Sequence, residues 1–254
     1  SVAGNAMAGV YLGLMLLAQV PPPYNEGLYR GVTVDLGKKA TLCNAQEPAP
    51  HVNCTTTPME TLTDAVRKAF EAAAPERVTA SWGHASGINI AGIDPRTGEQ
   101  YVTMVLASII SGAGATQQMD GWHACGPLCC FGALSSGDIE LLEYQYPILI
   151  HKYGLAQDSG GAGRYSGGSG PVWEVEPLGH EMTVLAFGEG RQIPTMGAAD
   201  AENGLHEPKL GRLEIVHDTD NTSVYSQNTL THIQPGQRAR NTNPGGGGYG
   251  VAFE

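Results

Sequence analysis

A chain of 254 residues with 25 acidic against 14 basic side chains, net charge −11, shows no basic run, which excludes nucleic acid as the expected partner. Only 15% of its residues are charged, where about 25% is usual for a soluble domain, and glycine, at 35 residues, is about twice the usual ~7%. With 41% hydrophobic content, this leaves little dedicated solvent face and implies a surface largely covered by other subunits.

Ser1 opens the chain, and a terminal Ser can act as a nucleophile with its own α-amine as base. The plainer reading is a processed or partial chain. Ala8, Tyr11, Leu12, Met15 and Leu16 recur at helical spacing and predict a helix over residues 5–19. The apolar stretch from Ala8 to Val20 is too short for a ~20-residue membrane span, so no membrane is expected. Leu28–Leu36 alternates weakly and reads as a strand. Thr57-Pro58-Met59-Glu60 reads as a helix start, with Thr57 as cap and Glu60 completing a capping box. Leu62, Val66, Ala69, Phe70 and Ala73 then form one apolar face of a helix over residues 58–74, which Pro75 stops.

Beyond Arg77 the pattern turns to strands. Val78–Ser81, Ile88–Ile90 and Tyr101–Ser108 are β-branched runs, and Ile93-Asp-Pro-Arg-Thr-Gly98 is a turn. The segment Ile139 to His151 reads as a strand or strand pair broken by Pro147. Val172–Leu178 and Met182–Phe187 read together as a hairpin, followed by strands at Leu213–Val216 and within Thr222–Ile233. The expectation is an α+β fold, β-rich, with mostly antiparallel or mixed sheets and two clear helices. A boundary near Arg77 separates a helix-containing part, 1–76, from a β-rich part, 77–254, unless the two form one continuous domain.

The run from Tyr153 to Gly170 holds seven glycines together with Asp158, Ser159 and Arg164. Clustered glycines permit close approach to the backbone, and successive N–H groups can form a nest for an anion. This makes Ser159, Gly160, Gly161 and Gly163 candidates for a substrate-facing or interface loop. The other reading is a tight buried corner serving packing or subunit contact. No Gly-Lys-Ser/Thr follows, which excludes a P-loop. Upstream, Asp120, His123, Cys125, Cys129 and Cys130 contain metal-capable side chains, but Cys-x3-Cys-Cys is not a paired zinc pattern, and buried thiols are the plainer account. Five cysteines without a regular framework suggest a reduced, cytoplasmic setting. The late Asn243-Pro-Gly-Gly-Gly-Gly-Tyr249-Gly250 brings Gly245 and Gly246 into the same class of close-approach backbone, or forms a disordered end.

Glu143-Tyr-Gln-Tyr-Pro147, Asp158-Ser-Gly-Gly-Ala-Gly-Arg164 with Gly167-Gly168-Ser-Gly170, and Asn243-Pro-Gly-Gly-Gly-Gly-Tyr-Gly250 resemble the hydantoinase B family. Pro21-Pro-Pro-Tyr-Asn-Glu-Gly-Leu-Tyr-Arg30 and Glu47-Pro-Ala-Pro50 fit it too, so the resemblance runs over essentially the whole chain. That family includes part of 5-oxoprolinase and the α subunits of acetone and acetophenone carboxylases. The resemblance implies a subunit of an ATP-dependent hetero-oligomer acting on a small-molecule substrate. In such an enzyme a hydantoinase A-type partner, actin-like in fold, uses ATP and Mg to phosphorylate a carbonyl or enol oxygen. Cyclic-amide hydrolysis and ketone carboxylation remain open as the reaction. The chain resembles the later half of the family subunit. The family's divalent metal (Mn, Zn or Fe) is therefore expected from the first half, and no metal ligand is assigned in this chain. Asp158 and Arg164, with Asp120 and His123 behind them, are the candidate catalytic residues. The alternatives are a non-catalytic interface subunit and a Ser1 hydrolase.

Overall fold

The computed structural model describes residues 2–19, 21–49, 57–105, 109–201, 207–218 and 221–251, and the chain divides into two units, 1–79 and 80–254. Ser1 lies outside the described residues. The first unit is built on α1 (Ala3–Ala18) and α2 (Thr57–Phe70). Helix α1 carries no charged residue, and Gln19, in the left-handed region at φ 52°, ends it by donating its N–H to Met15 O. Gly9 and Gly13 let the two helices meet closely. A Cβ on Gly9 would stand 2.8 Å from Met59 O, and one on Gly13 would stand 2.8 Å from Val66 Cβ. The Thr63 hydroxyl closes the contact by donating to Gly9 O at 3.0 Å.

This packing reverses the expected burial of α2. Its buried face is polar, made of Glu60, Thr63, Asp64 and Arg67, while Leu62 and Val66 are half-buried and Phe70 is 43% exposed. The buried charges are compensated. Arg67 pairs with Asp64 and donates to Thr79 Oγ1 at 2.6 Å. Burial pushes the Arg67 guanidinium down to about 10, so it stays charged at neutral pH. Thr57 lies inside the helix and among the described residues its buried Oγ1 has no hydrogen-bond partner, so it does not cap as expected. In place of the strand expected at Leu28–Leu36 there is a short 3-10 turn, Glu26–Tyr29, started by Asn25 accepting from the Gly27 N–H.

The second unit holds β1 (Ser86–Ile93), β2 (Gln100–Met104), α3 (Ile139–Gln145), β3 (Ile148–Leu155), β4 (Pro171–Pro177), β5 (Met182–Gly188), β6 (Arg212–Val216), β7 (Thr222–Tyr225), β8 (Thr229–Ile233) and β9 (Arg238–Thr242). They form a four-stranded sheet, β2-β1-β5-β8, and a five-stranded sheet, β3-β4-β9-β6-β7, and every described strand pairing within them is antiparallel. Ile88, Ile90, Met182 and Val184 of the first sheet share one core with Trp173, Val175, Leu213 and Ile215 of the second. Alternation puts these residues inward, as in a sheet-on-sheet core. The fold is therefore α+β and β-rich as expected, with a third helix.

Two local expectations fail for tertiary reasons. Residues 139–145 are helical because Asp138 accepts from the Leu141 N–H at 3.0 Å, and Arg96 donates to Tyr144 O and Gln145 O, both at 3.0 Å, at the other end. The supposed hairpin is not one, since β4 pairs with β3 and β9 while β5 pairs with β1 and β8.

Beside the sandwich lies a second kind of core. Extended segments outside both sheets are laid against residues 243–250, of which 243–249 are all buried. Successive carbonyls turn to different neighbours. Gly246 O accepts from Gly161 N–H at 2.8 Å, Gly247 O from Ala115 at 3.0 Å, and Gly248 O from Ala198 at 3.0 Å. A β-strand offers its carbonyls to two sides only; this pattern follows the three-residue turn of polyproline II. Only glycine fits at such an axis. A Cβ on Gly246 would lie 1.9 Å from Ala113 O, and one on Gly112 would lie 1.8 Å from Gly168 O. The strand expected at Val78–Ser81 is absent from both sheets; Ala80 and Ser81 instead join this bundle, bonding Ala115 and Met196.

Candidate functional site

The Gly-rich run connects β3 to β4 and forms two passes of the bundle. Its ends are tied by Ser159, which is fully buried: the hydroxyl donates to Ala156 O at 2.8 Å and accepts from Gly170 N–H at 2.9 Å. Just before it, Asp158 sits at φ 50°, a left-handed conformation that Asp tolerates better than most residues. This turn leaves the Asp158 side chain exposed.

The segment Asp120–Ala124 is strapped along Ser166–Ser169 by alternating main-chain and side-chain bonds. Gly121 N–H donates to Ser166 O and Ala124 N–H to Ser169 O, each at 2.8 Å. In return, Ser166 N–H donates to Asp120 Oδ1 at 2.7 Å and Ser169 N–H to His123 Nδ1 at 2.9 Å. The spacing of three between Asp120 and His123 matches the spacing of three between Ser166 and Ser169.

An open pocket of about 410 Å³ lies here, lined by His123, Asp158, Gly160, Gly161, Ala162, Ser166, Gly167 and Ser169. Of the candidates from sequence, His123, Asp158, Gly160 and Gly161 meet at this pocket. Asp120 stands next to it with one oxygen committed to Ser166. Arg164 is not among the lining residues; it is exposed, with its guanidinium 5.6 Å from the centre of the Tyr165 ring. Ser159, Gly163, Gly245 and Gly246 lie outside the lining as well, and Ser159, Gly245 and Gly246 are buried in the bundle. Ser166 and Ser169 were missed by sequence reasoning. Their match in spacing to Asp120 and His123 was the available signal.

The hydrogen bonds define what the pocket offers. Because His123 Nδ1 accepts an amide proton, the neutral ring carries its own proton on Nε2 and presents an N–H donor. Asp158 supplies acceptor oxygens, and Ser166 and Ser169 supply hydroxyls. Several glycine amides of the run are spent internally: Gly161 N–H on Gly246 O, Gly167 on Gly161 O, Gly168 on Ala113 O. The run therefore does not fit a phosphate nest for a nucleotide. Among the described residues no three His, Cys, Asp or Glu side chains converge, and His123 has its Nδ1 occupied, so the residues at this pocket do not fit a divalent metal.

Residues 1–252 match the family model described as Hydantoinase B/oxoprolinase. The chain belongs to the hydantoinase B/oxoprolinase family. It is 73% identical over 251 residues, 98% of its own length and 43% of the other's, to the caprolactamase subunit beta of Pseudomonas jessenii. It is 30% identical over 243 residues, 96% of its length and 18% of the other's, to 5-oxoprolinase 1 of Arabidopsis thaliana. The crystal structure of ATP-dependent caprolactamase from Pseudomonas jessenii superimposes with a TM-score of 0.87 at 63% identity, over 99% of this chain and 44% of that one. A nucleotide-free acetone carboxylase shares the fold, with a TM-score of 0.69 at 17% identity over 95% of this chain and 36% of that chain. The chain thus spans less than half the length of the proteins it matches here. Among the described residues no helix is long and apolar enough to cross a membrane.

Proposed function

We propose that this chain is part of the B-type subunit of an ATP-dependent, hetero-oligomeric cyclic-amide hydrolase. It works in the cytoplasm with a hydantoinase A-type subunit that uses ATP and Mg to activate the amide oxygen. The observation that carries this reading is the 73% identity, over 98% of the chain, to a caprolactamase subunit; it favours ring-amide hydrolysis over carboxylation. The pocket supports the same choice. A ring amide is held cis and presents its C=O and N–H on one edge. His123 Nε2–H is a donor for the oxygen, and Asp158 is an acceptor for the N–H. These contacts orient the ring, and orientation lowers the barrier by removing rotational freedom before the reaction. Phosphorylation of the amide oxygen on the partner ends the amide resonance and leaves the carbon open to water. The C–N bond then breaks with the nitrogen taking a proton, and a second water releases the phosphoryl group as inorganic phosphate. The divalent metal belongs to the part of the family subunit outside these residues.

The test uses the assembled complex, with lactam-dependent ADP release measured with and without bicarbonate. Lactam hydrolysis that needs ATP but not bicarbonate is the expected result; a bicarbonate requirement with carboxylated product would overturn the reading. Asp158→Asn keeps the left-handed turn and removes the charge, so turnover is expected to fall at least tenfold with assembly intact. Unchanged turnover would favour the second reading, a non-catalytic interface subunit, which is supported by the internal use of the glycine amides.

A further inference from the structure

The two sheets turn very different outer faces to their surroundings. On the five-stranded sheet, the register aligns Lys152, Glu174, Arg240, Glu214 and Val224 across all five strands. Glu174 is held there by Arg238 Nη1 and Arg240 Nε, both at 2.6 Å. This is a face stabilised by its own cross-strand charges. On the four-stranded sheet, the register aligns Met104, Asn89, Leu185 and Leu230 in one row, and Val102, Ala91, Thr183 and His232 in the next. No Asp, Glu, Lys or Arg stands in either row. Val102 is 69% exposed and Leu230 is 64% exposed.

A sheet face in water alternates polar residues outward, and edge strands are guarded by charge or proline against pairing with foreign strands. Here the outward polar residues in the two rows are Asn89, Thr183 and His232, with no Asp, Glu, Lys or Arg, and the edges lack the second protection. Its edges are β2 and β8, Gln-Tyr-Val-Thr-Met and Thr-Leu-Thr-His-Ile, with no Lys, Glu, Asp, Arg or Pro in either. Exposed apolar side chains gathered on one uncharged face mark a contact surface. The relatives supply the occupant, since this chain accounts for 43% of the length of the Pseudomonas jessenii subunit and 44% of the matching crystallographic chain. More than half of a family subunit therefore lies outside the matched region, and it needs a face to dock on.

We infer that the outer face of the β2-β1-β5-β8 sheet is the seat for the remainder of the family subunit, through an apolar element laid across Val102, Met104, Leu185 and Leu230. The inference rests on family membership and is independent of which reaction the complex catalyses. A second copy of this chain fits less well. Pairing this face with its own copy would leave the rest of the subunit without a seat.

The test is made in the complete enzyme assembly containing this chain, with single variants V102C, L230C and, on the charged face, V224C. Maleimide labelling is followed site by site by peptide mass spectrometry, with a denatured sample showing that each thiol can react. The expected result is labelling of V102C and L230C at least tenfold slower than V224C. A photo-cross-linker carried by V102C, or by L230C should the first variant fail to assemble, is expected to join to family-subunit sequence outside these 254 residues. Equal labelling at all three positions overturns the inference, as do cross-links that lead to a second copy of this chain or to a different subunit.

Discussion

The sandwich and the glycine bundle hold the same unit together by opposite means. In the sandwich, side chains such as Ile90, Trp173, Val184 and Leu213 fill the space between two sheets, and the main chains stay apart. In the bundle, main chains fill the space themselves, and side chains are excluded from the axis. A side-chain core relaxes around a lost methyl group, whereas a main-chain core cannot admit an added one. Sensitivity to mutation should therefore differ in sign as well as size. The sandwich suffers from truncation and the bundle from enlargement.

The largest effect expected is from Gly246→Ala, whose new Cβ would sit 1.9 Å from Ala113 O and 2.3 Å from its carbon. No flexible side chain is available to yield there. The loss should exceed about 4 kcal/mol and appear as absence of soluble folded protein, or a collapsed urea midpoint. A Gly246→Ala protein of ordinary stability would break the comparison outright. Leu213→Ala in the sandwich should cost about 2–5 kcal/mol, read from urea unfolding, because the cavity left by a fully buried Leu closes only in part.

A smaller effect concerns acid. The hydrogen bond from Arg96 to Asp94, aided by the guanidinium charge, holds the Asp94 carboxyl below the usual carboxylate range. A depressed carboxyl contributes stability that is present above its unfolded value of about 3.9 and lost as pH falls through the folded value. Asp94→Asn should therefore lower the melting temperature near neutrality and flatten its decline at acid pH. An unchanged decline would mean the pair carries no linkage. The smallest effect sharpens the comparison. Gly154, in β3, has no atom within 4 Å of the point where a Cβ would stand, so Gly154→Ala should shift stability by no more than about 0.5 kcal/mol in thermal unfolding. Glycine as such is not fragile; only glycine at the bundle axis is.

The candidate site was legible only where chemistry and spacing coincided. Asp120 and His123 stand out by residue type and Asp158 by family motif, and the fold brings His123 and Asp158 to one pocket. Arg164 had the same standing in the sequence, but its guanidinium lies over Tyr165 instead. Ser159 also looked like a loop hydroxyl, and it serves as an internal tie between Ala156 and Gly170. Nothing in a linear reading separates these cases, because the direction of each side chain depends on which neighbour bonds the adjacent main chain.

Local pattern was enough to establish the α+β class, helix α1, helix α2 and strands β1, β2 and β6, since apolar periodicity and turn residues act over a few neighbouring positions. It was not enough for α3, whose ends are secured by Asp138 and by Arg96 from a distant turn. Nor could it show that β4 and β5 part company into different sheets, or that α2 buries its charged face. Above all, it left open whether the glycines face a ligand, a subunit or one another. Gly245 to Gly248 pack against the main chain of Ser159, Ala113, Met196 and Ala162, all distant in the sequence, and main-chain contacts carry no residue-specific signal.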